Sequence, residues 1–321
     1  MWTRRGVLRL AGRGLAVLVG VQAAACSSDR GPVLRLRLGT GTEGGAYFSF
    51  GHAFAAAVAD SVRSPVIIPV TTSASVDNLR RLDKGGLALA LTTADVAEDA
   101  IRGRHPFTHP VHLTALARIY VNYTHLVVRA DDSVTAVRDL AGQRVVLGAE
   151  SSGAQVISQR LLELAGLTGS RAVIQEQLSL KGSVEALRRR RVRAFFWSGG
   201  VPTPAVRDLS REVPLRLLAL DTYVEPMRKK YGPAYTTVVI PAKPYGLDAP
   251  VPTIGTGSYL VARPDIPHDV VYELLRVLFA HRVDIMRPVS AGVRLEPRFA
   301  ISTGTVPLHP GAVSYYRSVH G

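Results

Sequence analysis

Residues 39–44 read Gly-Thr-Gly-Thr-Glu-Gly, a G-x-G-x-x-G spacing that follows an apolar stretch, Val33 to Leu38, and precedes a helix-like run from Ala46. Two chemistries use such a loop: the pyrophosphate of a dinucleotide, or a smaller anion held on bare backbone N–H groups at the positive end of a helix. The dinucleotide fold also requires an acid at the end of its second strand, to hold the ribose hydroxyl. Here the second strand, VIIPV, ends in Thr71-Thr72-Ser73, and Asp60 belongs to the end of the first helix. The loop therefore predicts a carboxylate or similar small anion, and no cofactor.

Several other apolar runs end in small and hydroxyl residues just before a helix. They read TTSASVDN (71–78), TTADVAED (92–99), ESSGAQVI (150–157), SLKGSVEA (179–186) and WSGGVPTP (197–204). In a parallel sheet such turns gather at the carboxyl edge, where together they make a polar ligand site. His105, His109 and His112 are spaced as zinc ligands could be. Pro106 and Pro110 break any helix there, and neither acid nor thiol stands beside them, so a surface connection without metal is expected. No G-x-S-x-G elbow is present, and the chain is expected not to be an enzyme.

These turns need a scaffold, and the pattern from residue 33 onward supplies one: short β-rich runs alternate with helical stretches, as in an α/β fold. Predicted strands are Val33–Leu38, Val66–Val70, Leu87–Leu91, Arg144–Leu147, Ala172–Gln175, Arg193–Trp197 and Leu215–Leu220, with helices such as Ala46–Val62 and Gln155–Ala165 between them. An internal echo pairs Ser75-Val76-Asp77-Asn78-Leu79-Arg80-Arg81 with Ser183-Val184-Glu185-Ala186-Leu187-Arg188-Arg189. Each copy leads into an apolar strand, and in each a serine can cap a helix whose first turn carries an acid. Two lobes built alike are expected, crossed by strands near 125–129 and 257–262.

The chain opens with arginines before an apolar run and then small residues, the order of a secretory signal in residues 1–25. Its uncharged stretch, Gly14 to Ala25, is 12 residues, short of the roughly 18 a bilayer-spanning helix needs. Thr3-Arg4-Arg5-Gly6-Val7-Leu8-Arg9 resembles a twin-arginine export signal, and Ala23-Ala24-Ala25-Cys26 resembles a lipobox that would lipidate Cys26. A tether, 26–32, would follow. Of the formal charge of +14, four units belong to Arg4, Arg5, Arg9 and Arg13, so the remainder carries +10. That field favours anionic partners. An exported chain without basic–aromatic motifs is not expected to bind nucleic acid. The run Arg188–Arg191 reads as the solvated end of a helix. Cys26 is the only cysteine, so no internal disulfide can form and the fold must rest on burial, for which 47% hydrophobic residues suffice.

Taken together, LGTGTEGGAYFSFGHAFA, SASVDNLRRL, ADVAEDA, LARIYVNYTHLVVRADDSV, DLAGQRVVLGAESSGAQV, GSVEALRRRRVRAFFWSGGVPTPAVRDL and PLHPGAVSYYRS closely resemble the TAXI solute-binding proteins, the extracytoplasmic subunits of one class of tripartite ATP-independent periplasmic (TRAP) transporters. The resemblance runs from about Leu34 to Tyr316. It implies a type II periplasmic-binding-protein fold: two α/β lobes, residues 33–126 plus 254–321 and residues 127–253, joined by hinge strands around a ligand cleft. It further implies a monomer that captures a small organic anion (a glutamate-like amino acid, a dicarboxylate or a keto acid) and delivers it to a TRAP-type membrane permease. The protein would be lipid-anchored on the outer face of the bacterial cell membrane. Carried over to this sequence, the ligand residues would be Thr42, Gly45 and Tyr47; Ser73 and Ser75; Thr93; Ser151, Ser152, Gly153 and Gln155; and Trp197 and Gly199. Trp197 would wall the cleft. The sequence departs from the resemblance where two glycines usually precede the serine-valine-acid start, here Ser73-Ala74. It departs again where Gly-Ser-Gly-Thr is usual, here Ser151-Ser152-Gly153-Ala154. Two other readings compete: a binding protein of the same fold that reports to a membrane sensor, and an exported cofactor-dependent enzyme.

Overall fold

Arg35 and Arg37 are exposed while Leu36 and Leu38 are buried, the two-residue alternation that makes β1 (Arg35–Gly39). In α1 (Ala46–Ser61), Tyr47, Phe50, Gly51, Phe54 and Val58 are buried, which is the helical repeat. A computed structural model describes residues 33–289 and 295–320. The leader, Cys26 and the tether therefore lie outside the described residues. After β1 and α1 come β2 (Val66–Val70), α2 (Ser75–Asp83), β3 (Leu89–Thr93), α3 (Ala94–Ile101) and the long β4 (Thr114–Arg129). The chain continues through β5 (Arg144–Val146), α4 (Gly153–Leu164), β6 (Ile174–Glu176), α5 (Leu180–Arg188), β7 (Ala194–Gly199), α6 (Pro204–Glu212) and β8 (Leu215–Leu217). It ends with α7 (Val224–Tyr231), β9 (Tyr235–Ile240), β10 (Val251–Ala262), α8 (His268–Ala280), α9 (Arg282–Met286), α10 (Pro297–Ala300) and α11 (Pro310–His320). No described helix is long and apolar enough to cross a membrane.

The strands form one sheet in the order β2-β1-β3-β10-β4-β7-β5-β6, with β8 on β4 and β9 on β10. β1 runs parallel to β2 and β3, and β5 runs parallel to β6 and β7. β10 lies antiparallel to β3, and β4 lies antiparallel to β7. Each half thus holds a three-stranded parallel unit flanked by an antiparallel strand, and the two long antiparallel strands run through both halves, pairing with each other from Thr114↔Ala262 to Tyr123↔Gly255. Pro69 costs no ladder bond on an outer side because β2 is at the edge.

Alternation sends successive strand residues to opposite faces, so helices cover the sheet on both sides of each half. In the first half Leu89, Leu91 and Leu260 pack with Phe50, Phe54 and Leu275, while Ala90 and Val261 pack with Leu79, Leu82 and Ala97. In the second, Val145 and Phe196 pack with Leu161 and Met227, while Val146 and Phe195 pack with Leu187 and Leu209. Val156 of α4 crosses into a cluster of the first half. Burial of each such side chain stabilises by about 2 kcal/mol, and with no disulfide this packing carries the fold.

The mixed α/β architecture follows the expected alternation, with three differences. The segments expected near 125–129 and 257–262 are only the ends of much longer strands, β4 and β10. Thr114–Tyr123 was not expected as strand. The echoed segments do fall in α2 and α5, the equivalent helices of the two halves, but the expected serine caps are not there. Ser75 is the first helical residue of α2 rather than its cap, and Ser183 lies one turn inside α5. The α5 cap is Ser179, whose hydroxyl accepts the Gly182 amide at 3.2 Å.

Candidate functional site

Gly45 N donates to Thr42 O at 3.1 Å, closing the tight turn that starts α1. Gly44, at φ 79, makes that turn possible in a region other residues avoid. The first glycine of the motif has a different use. A Cβ at Gly39 would stand 2.5 Å from Asn78 Oδ1. Asn78, wholly buried on α2, donates through Nδ2 to Thr40 O and Leu91 O, both at 2.7 Å, and accepts from the Thr72 hydroxyl at 2.6 Å. One amide side chain thus ties the ends of β1, β2 and β3 together. Nothing in its turn chemistry announces this.

Between the halves these turns enclose a cavity of about 50 Å³ lined from both sides. Of the residues expected from sequence, Thr42, Gly45, Tyr47, Ser73, Ser75, Thr93, Ser152, Gly153 and Trp197 line it. Ser151 and Gln155 do not: they line a neighbouring groove of about 610 Å³. The reason is local capping, since Ser151 N donates to Gln155 Oε1 at 2.8 Å and Gln155 N to Ser152 Oγ at 3.1 Å. Gly199 also stands back from the cavity. A Cβ there would lie 2.6 Å from Trp197 Nε1, so its bareness leaves room for the indole. The SLKGSVEA turn opens instead onto a separate groove, lined also by Thr42 to Gly44. Of the histidines, His109 faces Asp83 at 2.9 Å and His105 lines the 610 Å³ groove. Arg188 and Arg189 pair with Glu185 at the surface.

The lining carries no charged side chain. What it offers are helix starts and hydroxyls. Ala46 and Tyr47 open α1, and Gly153 and Ala154 open α4; among the described residues their amides have no partner in the chain. First-turn amides leave about half a positive charge at each helix end. The α2 start is already occupied: Val76 N and Asp77 N both donate, at 3.1 Å, to the carbonyl of Ser151 from the other half. Both departures from the glycine pattern fall here, with Ala74 at φ 81 and Ser151 at φ 59, two non-glycine residues in left-handed backbone. Among the described residues Thr93 Oγ1 and Tyr120 Oη are buried without a hydrogen bond of ordinary geometry, and Ser75 Oγ accepts the Thr93 amide at 3.2 Å.

Residues of β4 and β10 complete the floor and had no sequence signature. Asn122 on β4 donates to Ser258 Oγ on β10 at 2.7 Å and to Tyr47 Oη at 3.5 Å. Burial pushes the Tyr47 hydroxyl up to about 12, so it stays a donor, and burial raises Tyr120 further. Trp197 closes one wall, its ring about 3.3 Å from where a Gly45 Cβ would be. Its Nε1 donates to Thr203 Oγ1 at 3.0 Å, and Thr203 N donates to Tyr245 Oη at 2.7 Å. Tyr245 in turn faces His125 Nε2 at 3.0 Å, while His125 Nδ1–H is taken by Tyr123 O at 2.9 Å. Burial holds His125 down at about 4, so it is neutral and accepts from Tyr245.

Beside the cavity a buried ionic cluster links the halves. Arg160 on α4 donates to Asp99 on α3, lies 3.5 Å from Asp95, and donates to Tyr235 Oη at 2.6 Å.

Comparison with solved structures finds the same fold. A structure from Streptococcus mutans described for glutathione import via GshT and the cystine ABC importer TcyBC superposes with a TM-score of 0.51 at 11% identity, covering 80% of this chain and 93% of its own. The periplasmic aliphatic sulphonate binding protein SsuA of Escherichia coli gives 0.45 at 15% identity over 89% and 84%. The alkanesulfonate-binding protein SsuA of Xanthomonas axonopodis pv. citri, bound to MOPS, gives 0.48 at 16% identity over 80% and 78%. Residues 38–319, nearly all of the described chain, match one sequence family. The protein belongs to the NMT1-like family.

Proposed function

We propose that this protein is an extracytoplasmic solute-binding protein that closes two lobes, 33–126 plus 254–321 and 127–253, around a small organic anion and hands it to a membrane permease. One observation carries the reading: unpartnered amides at the starts of α1 and α4, one from each half, meet at a single cavity that no charged side chain lines. A ligand touching both halves favours the closed state in proportion to its differential contacts. The ligand residues are then Thr42, Gly45, Tyr47, Ser73, Ser75, Thr93, Ser152, Gly153 and Trp197, joined by Tyr120 and Asn122.

The resemblance in sequence favours a TRAP-type permease. The name of the Streptococcus mutans structure favours an ABC-type importer, which makes that the second reading. Export through a twin-arginine signal and lipid anchoring through Cys26 fit either. Delivery needs no oligomer, and the binding unit is proposed to act as a monomer without cofactor.

The test is a titration with dicarboxylates, keto acids and amino acids, read by Trp197 fluorescence and by thermal shift. A ligand at 100 times its Kd stabilises by about 2.7 kcal/mol, which a melting curve resolves. Silence across all three classes with a folded protein would sink the proposal. Reconstitution with each permease type then separates the two partners.

A further inference from the structure

We propose that the cavity accepts carboxylates that carry no ammonium group, and that the Tyr120 and Thr93 hydroxyls read them. This rests on the reading of the chain as a binding protein for small organic anions, and narrows it.

Thr93 and Tyr120 are each only 4% exposed, both line the cavity, and among the described residues neither buried hydroxyl oxygen makes a hydrogen bond of ordinary geometry, the Ser258 hydroxyl being only a loose neighbour of Tyr120. A buried hydroxyl left unpaired is costly, so these two are groups whose partner is the ligand. Ser75 Oγ accepts the Thr93 amide, and its own hydrogen can turn to the Tyr47 hydroxyl or to a ligand. A Cβ on Gly153 would lie 2.8 Å from Ser75 Oγ and 3.0 Å from Thr93 Oγ1, so the unpartnered α4 start and these hydroxyls meet at one point. A carboxylate there finds donors for its lone pairs on both sides.

An ammonium finds the reverse. The lining contains no aspartate, glutamate or histidine, and the positive ends of α1 and α4 repel a cation. Two carboxylates stand close by without lining the cavity: Asp77 on α2, taken up by the Ser73 amide at 3.0 Å and by Arg81 at 2.8 Å, and Asp95 on α3. Asp95 Oδ2 accepts from Tyr235 at 3.0 Å and lies 3.5 Å from Arg160, while its Oδ1 is buried unpartnered among the described residues. An α-amino acid would therefore bury a cation without a counter-charge, which is far more costly than any single hydrogen bond returns. The volume, about 50 Å³, favours a compact acid.

Calorimetric titration of the purified protein with matched pairs, pyruvate against alanine and 2-oxoglutarate against glutamate, tests this. The keto acid of at least one pair is expected to bind at least about 100-fold more tightly than its amino acid. Tyr120→Phe keeps the ring against Tyr47, whose centroid is 6.2 Å away. It is expected to weaken that keto acid about tenfold with an unchanged melting temperature. An amino acid that binds as well as its keto partner overturns the inference and leaves anion binding standing. Unchanged affinity in a Tyr120→Phe, Thr93→Val double variant overturns the role of the hydroxyls. No binding by any acid overturns this inference and the proposed function together.

Discussion

The carbonyl of Ser151 accepts the amide of Val76 at 3.1 Å, joining the start of α2 in one half to the turn before α4 in the other. The contact fills an anion-binding helix start with the protein's own oxygen. Its geometry rests on left-handed backbone at both sides, Ala74 at φ 81 and Ser151 at φ 59.

Glycine is the residue for such backbone, so Ala74→Gly should stabilise the fold. The expected gain is about 1 kcal/mol, read as a rise in the urea midpoint. A loss of stability would show that the Ala74 methyl packs well enough to outweigh the strain. The methyl packs against the core of the first half, so some packing is lost.

Arg160→Met should be the more damaging change. It strips the cation from Asp99 and Asp95, both nearly fully buried, and breaking one side of a buried pair costs about 3 kcal/mol or more. Because the pair spans the halves, small-angle scattering should also show an expanded molecule. A variant as compact and stable as the parent would mean that Arg104, 3.0 Å from Asp99, holds the cluster alone.

His125 sets an acid limit. Its folded value, about 4, lies below the ordinary histidine value of 6.5, so the unfolded chain takes up the proton first. Stability is intact above about pH 6.5 and falls as pH drops toward 4, by roughly 3 kcal/mol in all. Burial lowers His309 in the same direction, adding to the slope. Denaturation midpoints from pH 7 to 4.5 should be flatter in His125→Asn, and an equal slope in both would rule out this histidine as the source.

Gly153→Ala probes the cavity. Alanine suits a helix start, but its methyl would sit 2.8 Å from Ser75 Oγ and 3.0 Å from Thr93 Oγ1. Overpacking of that size should weaken ligand binding about tenfold or more, while the circular dichroism spectrum is retained. Full affinity in the variant would move the ligand away from the α4 start.

What was legible in the sequence is what chain-local physics fixes. The alternation Arg35-Leu36-Arg37-Leu38 and the helical repeat from Tyr47 to Val58 announce their elements directly. Serines, threonines and glycines at strand ends announce a shared polar edge. Ser151 and Gln155 look the same in sequence but are used up locally, because Ser152, three residues before Gln155, caps α4 and the Gln155 side chain turns back to the Ser151 amide. Tyr120, Asn122 and Ser258 carried no signal, since a polar residue inside a long strand says nothing about which distant strand it will face. Asn78 and Arg160 were hidden for the same reason: their partners lie in other elements of the sheet and the other half.

The two long antiparallel strands limit how the molecule could be divided. β10 is needed to cover β3, and β4 to cover β7, yet each is laid against the other. A cut at the lobe boundaries would run through both strands, leaving broken ends of β4 and β10 with backbone groups stripped of their β7 and β9 partners, which invites self-association. Partnership between the halves is thus built into the hydrogen-bonding of the backbone itself, before any ligand arrives.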